Sequence, residues 1–593
     1  MDRYIDWVYR WRYLIVLMTV VVIALAAYGG RDHQRNFKTD YRNFFSEENP
    51  QLLAFEELQN VYSKNDNLLI AIEPRSGNVF EPKTLDLLEK LSYPNGELSA
   101  WKIPHAARVD SLANFQNTYA EEDDLIVEDL VQGALGLTPE EIEKIKDVAI
   151  KEPLLHNRLI TDKANITAIN IRVELPGKSN QEIINVARYA RDLAEKIRAQ
   201  YPEVNVYLSG IVMLNNAFPE ASKKDWGSLV PLMFLMIAII MGFMLKSISG
   251  TIATLVVIFF SIMAAMGTAG WLQWWLTAPS ASSPIIIMTL AVADCVHILV
   301  SMYALMRDGM DKRQALTESM RINMRPVFLT SLTTAIGFLG LNFSDAPPFR
   351  DLGNITAIGV FYAYFLSIIF LPAMMLILPT RVTRQHAHGH HTMEWMAEFV
   401  ISNRNRIILV MSIIIIGLTA FIPRIEFNDE FIKYFDKSVE FRVHTDIVTD
   451  NLTGIYEIQY SLDAGETGGI NDPEYLQQVE DFANWYRQQP NVVHVNTITD
   501  TMKRLNMNMH ADDPAYYRLP EERELAAQYL LLYEMSLPFG LDLNNTINID
   551  KSSTRLVVTL ESIDNIRIRE LAEEAEQWLQ AHPPVLAERA ASA

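Results

Sequence analysis

The chain has 593 residues, one cysteine and a formal net charge of −21, and 49% of its residues are hydrophobic. That length allows several domains. The lone cysteine excludes an intrachain disulfide framework or a cysteine-based metal site, and the acidic balance argues against nucleic-acid binding.

The apolar residues are gathered in blocks, and the blocks are close to the roughly 20 residues that a membrane-spanning helix needs. The first runs from Tyr13 to Tyr28 behind Arg10 and Arg12. No small-residue cleavage site follows it in "AAYGGRDHQRNF", so it reads as a retained anchor rather than a secretory signal. A long polar segment, Arg31 to Ser228, comes next. Within it "NLLIAIEP" (Asn67 to Pro74) reads as a strand, Glu81 to Ser92 as a helix, Ala107 to Leu112 and Asn165 to Leu175 as strands, Ser179 to Gln200 as an amphipathic helix and Val204 to Gly210 as a closing strand. An acidic helical insertion, Glu121 to Lys151, separates the two halves, which makes the segment a ferredoxin-like βαββαβ domain with an insert.

Five further spans follow: Leu229 to Leu245, Thr251 to Leu272, Pro284 to Met306, Val327 to Phe343 and Ile355 to Leu378. Pro326 stands where the fifth of the chain's spans should start, and Pro372 where the sixth should kink. "HAHGHH" (His386 to His391) lies in the linker after them, without Cys or carboxylates around it, and reads as a solvated loop rather than a metal site. The seventh span is Ile407 to Ile422. The second long segment repeats the first through "GIYEIQYSL", the helix Asp472 to Gln489, "NVVHVNTI", "STRLVVTLES" and the helix Ile566 to Ala581. No clear closing strand is legible in "HPPVLAERAASA".

Two further matches mark an internal duplication. "RWRYLIVL" (Arg10 to Leu17) enters the first span as "RNRIILVM" (Arg404 to Met411) enters the seventh, and "FKTDYRNFF" (Phe37 to Phe45) follows the first as "FNDEFIKYF" (Phe427 to Phe435) follows the seventh. The expected organisation is therefore residues 1–30 for the N-terminus and first span, 31–228 for a first exported domain, 229–379 for spans two to six, 380–404 for a linker, 405–423 for the seventh span and 424–593 for a second, incomplete exported domain. A fully duplicated plan would carry five more spans, so a truncated or split version of a larger protein is the expectation. Basic residues cluster before the first span, between the fourth and fifth, and between the sixth and seventh, which places the N-terminus in the cytoplasm and both long segments outside.

The fourth span holds an anomaly, "TLAVADCVHILVSMY" (Thr289 to Tyr303). An ionised Asp at the bilayer centre costs about 2.5–3.5 kcal/mol, and such residues mark ion or proton paths or interhelical hydrogen bonds. Asp294, His297 and Ser301 fall at i, i+3 and i+7, one helical face. In the fifth span Thr330, Thr333, Thr334, Gly337 and Gly340 form a small, hydroxyl-bearing stripe suited to close helix packing. Cys295 points elsewhere and reads as packing. HExxH, GxxxxGK[ST] and GxSxG are all missing from the sequence, so the expectation is a protein that is not an enzyme, hydrolyses no ATP and needs no cofactor.

The order of one span, a large βαβ-type segment, five spans and a second such segment resembles the resistance-nodulation-division (RND) superfamily, and more closely its MmpL/Patched-like exporters with a sterol-sensing-type membrane core. The stretches that carry the resemblance are "AVADCVHI" (Ala291 to Ile298) and "ALTESMRINMRPVFLTSLTTAIGFLGLNFSDAPPFRDLGNITAIGV" (Ala315 to Val360), similar to the family's amphipathic cytoplasmic helix, Thr-rich fifth span and Pro and Gly entry to the sixth. The resemblance implies proton-driven export of a hydrophobic or amphiphilic molecule, often a lipid, across a bacterial inner membrane through porter-type periplasmic domains. It implies a proton-relay role for Asp294, with His297 as a neighbour; many relatives have an aspartate-tyrosine pair where this chain has Asp294 and Cys295, and their relay partner lies in a tenth span. Expected partners are a membrane lipid or other hydrophobic substrate, protons, and further copies of the chain or a complementary second half. A lipid-binding sensor without transport and an auxiliary of protein export are the alternatives.

The basic-residue pattern makes the topology testable. Cysteines placed at Ser179 and Asp472 should both react with an impermeant thiol reagent in intact spheroplasts, and protection of either one contradicts the orientation.

Overall fold

The computed structural model describes all residues except 33–36, 65, 122–123, 178, 180, 381–390, 426–429, 539, 583–590 and 593. His386, His388 and His390 of the histidine-rich stretch therefore lie outside the described residues. The chain divides into two compact units, Met1–Phe45 with Pro219–Phe427 and Ser46–Phe218 with Asn428–Ala593.

The first unit is helical, and the described residues include seven helices long and apolar enough to cross a membrane. The spans are Asp2–Tyr28, Ile211–Leu245, Ile248–Trp271, Ser283–Arg307, Lys312–Leu339, a sixth from Pro347 to Ile377, and His391–Thr419. Local chemistry sets several of the starts. The Ser247 hydroxyl caps the third, the Asp311 carboxylate accepts from the Arg313 amide at 3.1 Å to cap the fifth, and Pro284 sits in the first turn of the fourth.

Small residues join the first span to the third. A Cβ on Gly267 would overlap the Ala26 carbonyl, one on Gly270 would overlap the Gly29 carbonyl, and Trp271 Nε1 donates to Leu25 O at 3.0 Å. The sixth span changes pitch at Leu366–Phe370, a π-turn between the α-helices Pro347–Phe365 and Leu371–Ile377. Pro372 lies just past it and has no N–H to give the Ile368 carbonyl four residues back. That carbonyl accepts from the Tyr4 hydroxyl instead.

Pro326 does not start the fifth span. It lies inside one continuous helix, Lys312–Leu339, on the exposed side. On the buried side of the same turn, Asn323 Nδ2 donates to Ser319 O at 2.9 Å and Ser301 Oγ at 2.8 Å, which fastens the helix to its neighbour where the proline weakens it.

The second unit contains both copies of the α/β fold. In the first, the strands are β1 (Asn67–Pro74), β2 (Ala106–Asp110), β3 (Gln116–Glu121), β4 (Asp124–Asp129), β5 (Thr167–Val173) and β6 (Val204–Ser209). The main sheet runs β2-β5-β1-β6 and is antiparallel throughout. In the second copy, β7 (Tyr456–Asp463), β8 (Val492–Asn496), β9 (Ser553–Leu560) and β10 (Ala591–Ser592) form the sheet β10-β7-β9-β8, the same order read from the other edge. The two residues of β10 thus occupy the closing position that sequence reading left empty, pairing with Ser461 and Tyr460. Each copy also has the same isolated antiparallel bridge ahead of its third sheet strand, Ile160 to Thr167 and Ile547 to Thr554.

The insertions differ from expectation and from each other. In the first copy the expected helix over Glu121 to Lys151 is a hairpin, β3 with β4, followed by the helix Pro139–Lys151, which begins at a Thr138–Glu141 capping box. In the second copy helices Ile498–Asn508 and Arg523–Ser536 stand between β8 and β9. The hairpin and the first of these helices meet. Thr118 Oγ1 donates to Asn508 Oδ1 at 2.7 Å, and the Ala120 amide donates to Asp512 Oδ2 at 2.9 Å. Nearby, Arg504 of the second copy pairs with Glu152 of the first at 3.1 Å, with both side chains buried.

Removing one member of a buried pair strands the other charge. Glu152→Ala should destabilise the α/β unit by about 3–5 kcal/mol, whereas Glu152→Leu combined with Arg504→Leu should recover most of that loss. Proteolysis of the purified full chain along a urea gradient, read from fragments of this unit, measures both. A single variant as resistant as wild type would show that the pair does not hold the copies together.

Candidate functional site

Along the fourth span, positions Ile287, Ala291, Asp294, Cys295, Ile298 and Met302 are buried. Asp294 retains only 7% of its exposure, so its carboxyl sits within the bundle and needs a partner there. The fifth span supplies one: Ser331 Oγ donates to Asp294 Oδ2 at 3.2 Å. Among the described residues no lysine, arginine or histidine adds a charge interaction to this carboxyl. Cys295, also buried, approaches Ser367 Oγ at 3.6 Å, and Ser367 lies in the π-turn of the sixth span. The fourth span therefore touches the hydroxyl of the fifth and the irregular turn of the sixth at adjacent residues.

One turn towards the C-terminus of the fourth span, a second polar group ties the same two helices. Asn323 bonds Ser301 as described, and Ser319 Oγ donates to Ile298 O at 2.6 Å. Ser301 is thus part of the seam between the fourth and fifth spans, but its partner is Asn323.

His297 is not. It is exposed, and among the described residues no hydrogen bond joins it to Asp294. Three residues along a helix are 300° round, so an i, i+3 neighbour stands some 60° aside. At this place that rotation moves the side chain off the buried arc. His297 therefore does not share the buried face of Asp294, contrary to the one-face expectation.

The fifth span is turned differently from the sequence expectation. Beyond Met320 its buried residues are Asn323, Val327, Ser331 and Ala335, at spacings of four. Thr330, Thr333, Gly337 and Gly340 are exposed, and Thr334 is half-buried. The Thr330 and Thr333 hydroxyls turn back onto carbonyls of their own helix, Val327 O at 3.0 Å and Leu329 O at 2.9 Å. No atom lies within reach of a Cβ placed on Gly337 or Gly340 among the described residues. Close packing of small residues occurs at Gly267 and Gly270 instead. Ser331 was missed because it lies between Thr330 and Thr333 in a run of hydroxyl residues; the four-residue spacing Val327, Ser331, Ala335 was the available signal.

The sequence model of the MMPL family matches residues 110–405. A protein of Methanocaldococcus jannaschii, whose name says no more than membrane protein, is 19% identical over 372 residues, covering 61% of this chain and 90% of that one. The chain is a multi-pass membrane protein that belongs to the MMPL family, of the RND type.

Proposed function

We propose that this protein is an RND-type transporter that uses proton movement at Asp294 to export a hydrophobic or amphiphilic molecule, a lipid being the leading class, from a bacterial inner membrane. The observation that supports this is the setting of Asp294: a carboxyl buried among transmembrane helices, held by one neutral hydroxyl and, among the described residues, no cation. A proton is then the available counter-charge, and gaining or losing it changes what the fourth span prefers to face. The neighbouring contact of Cys295 with Ser367 lies against the π-turn, where the sixth span departs from regular geometry, and π-turns often mark such sites. In this reading the fourth and fifth spans sense the proton, the sixth rearranges with them, and the α/β unit, on the periplasmic side, passes the substrate on. The substrate is moved and not chemically altered. Further copies of the chain, or a complementary second half, complete the machine.

Asp294→Asn keeps the shape and removes the titration. It should reduce gradient-driven substrate export from proteoliposomes to the uncoupled background, with insertion and folding intact. Ser331→Ala should weaken export partially, and His297→Ala should leave most of it, because His297 stands off the buried face. Export by Asp294→Asn at the wild-type rate under an imposed pH gradient would leave the aspartate a structural group and refute the mechanism.

A further inference from the structure

The α/β unit encloses a cavity of about 90 Å³ at the junction of its two copies, lined by Arg108, Asp110 and Arg158 from the first and by Asn496, Thr497 and Asn545 from the second, with leucines between them. The charge on its wall does not balance. Arg108 on β2 stands in register with Arg172 on β5, an arrangement of like charges that is unfavourable by itself. Asp110, two residues on and so on the same face, takes Arg108 Nε at 2.7 Å and lies 3.8 Å from Arg158. Arg108 and Arg158 thus share one carboxylate on the wall, and Arg172 adds a third positive charge beside them in the sheet. Arg172 is buried and donates to the Ser63 hydroxyl, a neutral partner, and Arg108 reaches Asp542 O at 2.6 Å, also neutral.

The titrating groups report the same surplus. Burial first, and then Arg108, Arg555 and Arg158, bring the Arg172 guanidinium down to about 10 against the pull of Asp110. Burial raises Asp110, yet Arg108, Arg158 and Arg172 outweigh it and hold the carboxyl below its usual range. His494, on β8, is pushed down to about 3 by burial and then by Arg158 and Arg487, so it adds no charge of its own. Buried cations in excess are costly unless an anion joins them.

We propose that this cavity binds the anionic group, phosphate or carboxylate, of an amphiphilic molecule, with Arg158 and Arg108 as its ligands. Arg158 is the more available of the two, since its contact with Asp110 is long and its side chain is 28% exposed. Identifying that molecule as the exported substrate rests on the transport reading above; the binding itself does not.

The test uses the purified full chain in a neutral detergent at low ionic strength, with titration calorimetry. The probes are dihexanoyl phosphatidic acid, decanoate, dihexanoylglycerol and inorganic phosphate. At least one of the two anionic amphiphiles should bind, more weakly as salt is added, and dihexanoylglycerol should not. Arg158→Gln should weaken that binding by about tenfold or more, the loss of a charge-assisted hydrogen bond. Arg158→Lys should retain part of it, and Arg158→Glu should abolish it. Unchanged urea resistance of the α/β unit shows that these variants are folded. Equal binding of dihexanoylglycerol, undiminished binding by folded Arg158→Gln, or inorganic phosphate binding as tightly as the amphiphiles would each overturn the proposal. Asp294→Asn should bind the probe as wild type does. A chain that binds the anion without exporting anything would sink the transport reading and keep the site; one that exports but does not discriminate by charge would do the reverse.

Discussion

Inside hydrocarbon a backbone carbonyl or a polar side chain has no water to fall back on, and the helical unit is arranged around that fact. Where a helix ends, another residue meets its last carbonyls. Arg307 reaches Leu245 O at 3.3 Å at the end of the second span, and Lys312 Nζ reaches Leu378 O at 2.6 Å beyond the sixth. These are loop cations whose sequence role is to orient the protein, and the structure gives them a second task as caps. Some polar side chains that enter the bundle find another across the helix seam. Asn323, Ser319 and Ser301 form one set, and Asp294 with Ser331 forms the other. The same constraint makes the Asp294 setting unusual, because its partner is a single neutral hydroxyl while the Asn323 amide makes several bonds.

The α/β unit shows how a duplicated fold can become an interface. Both copies keep the sheet order and the bridge before the third strand, features that the main-chain ladder fixes. They part company at the insertion after the second strand, a hairpin in one and a helix in the other, and these are the elements that bond to each other. Had both copies kept a hairpin, two exposed strand edges would face one another, an arrangement prone to pairing in the wrong register. A helix against a hairpin forms no strand ladder, and its polar fit runs through the Asn508 and Asp512 side chains.

Much of this was legible in the sequence. Strand β1 matches the expected Asn67 to Pro74, the span count follows from apolar length alone, and the main helices of both copies stand within a few residues of their expected ends. In the α/β unit the main helices keep one wet face, so their period reveals burial. The rotation of a membrane helix is written far less clearly, because lipid is as apolar as the bundle interior and exposed positions need not be polar. That is why the sequence does not reveal that His297, Thr330 and Thr333 face outward, whereas Asp294 is buried as its charge demands: a threonine can satisfy its hydroxyl on its own helix. The hairpin of the first copy was hidden by its acidic residues, which read as helix surface, and β10 is too short to leave a pattern.

The contact between Tyr4 and Ile368 links residues 364 positions apart in the chain. In synthesis the first of them is made almost at once and the second only when the sixth span emerges. The bond can close only after the four spans in between have been threaded, so until then the carbonyl that Pro372 leaves without its usual donor lacks the Tyr4 hydroxyl. The sixth span is therefore completed by the first few residues translated. Order of assembly, and not only strength, is recorded in that single hydroxyl.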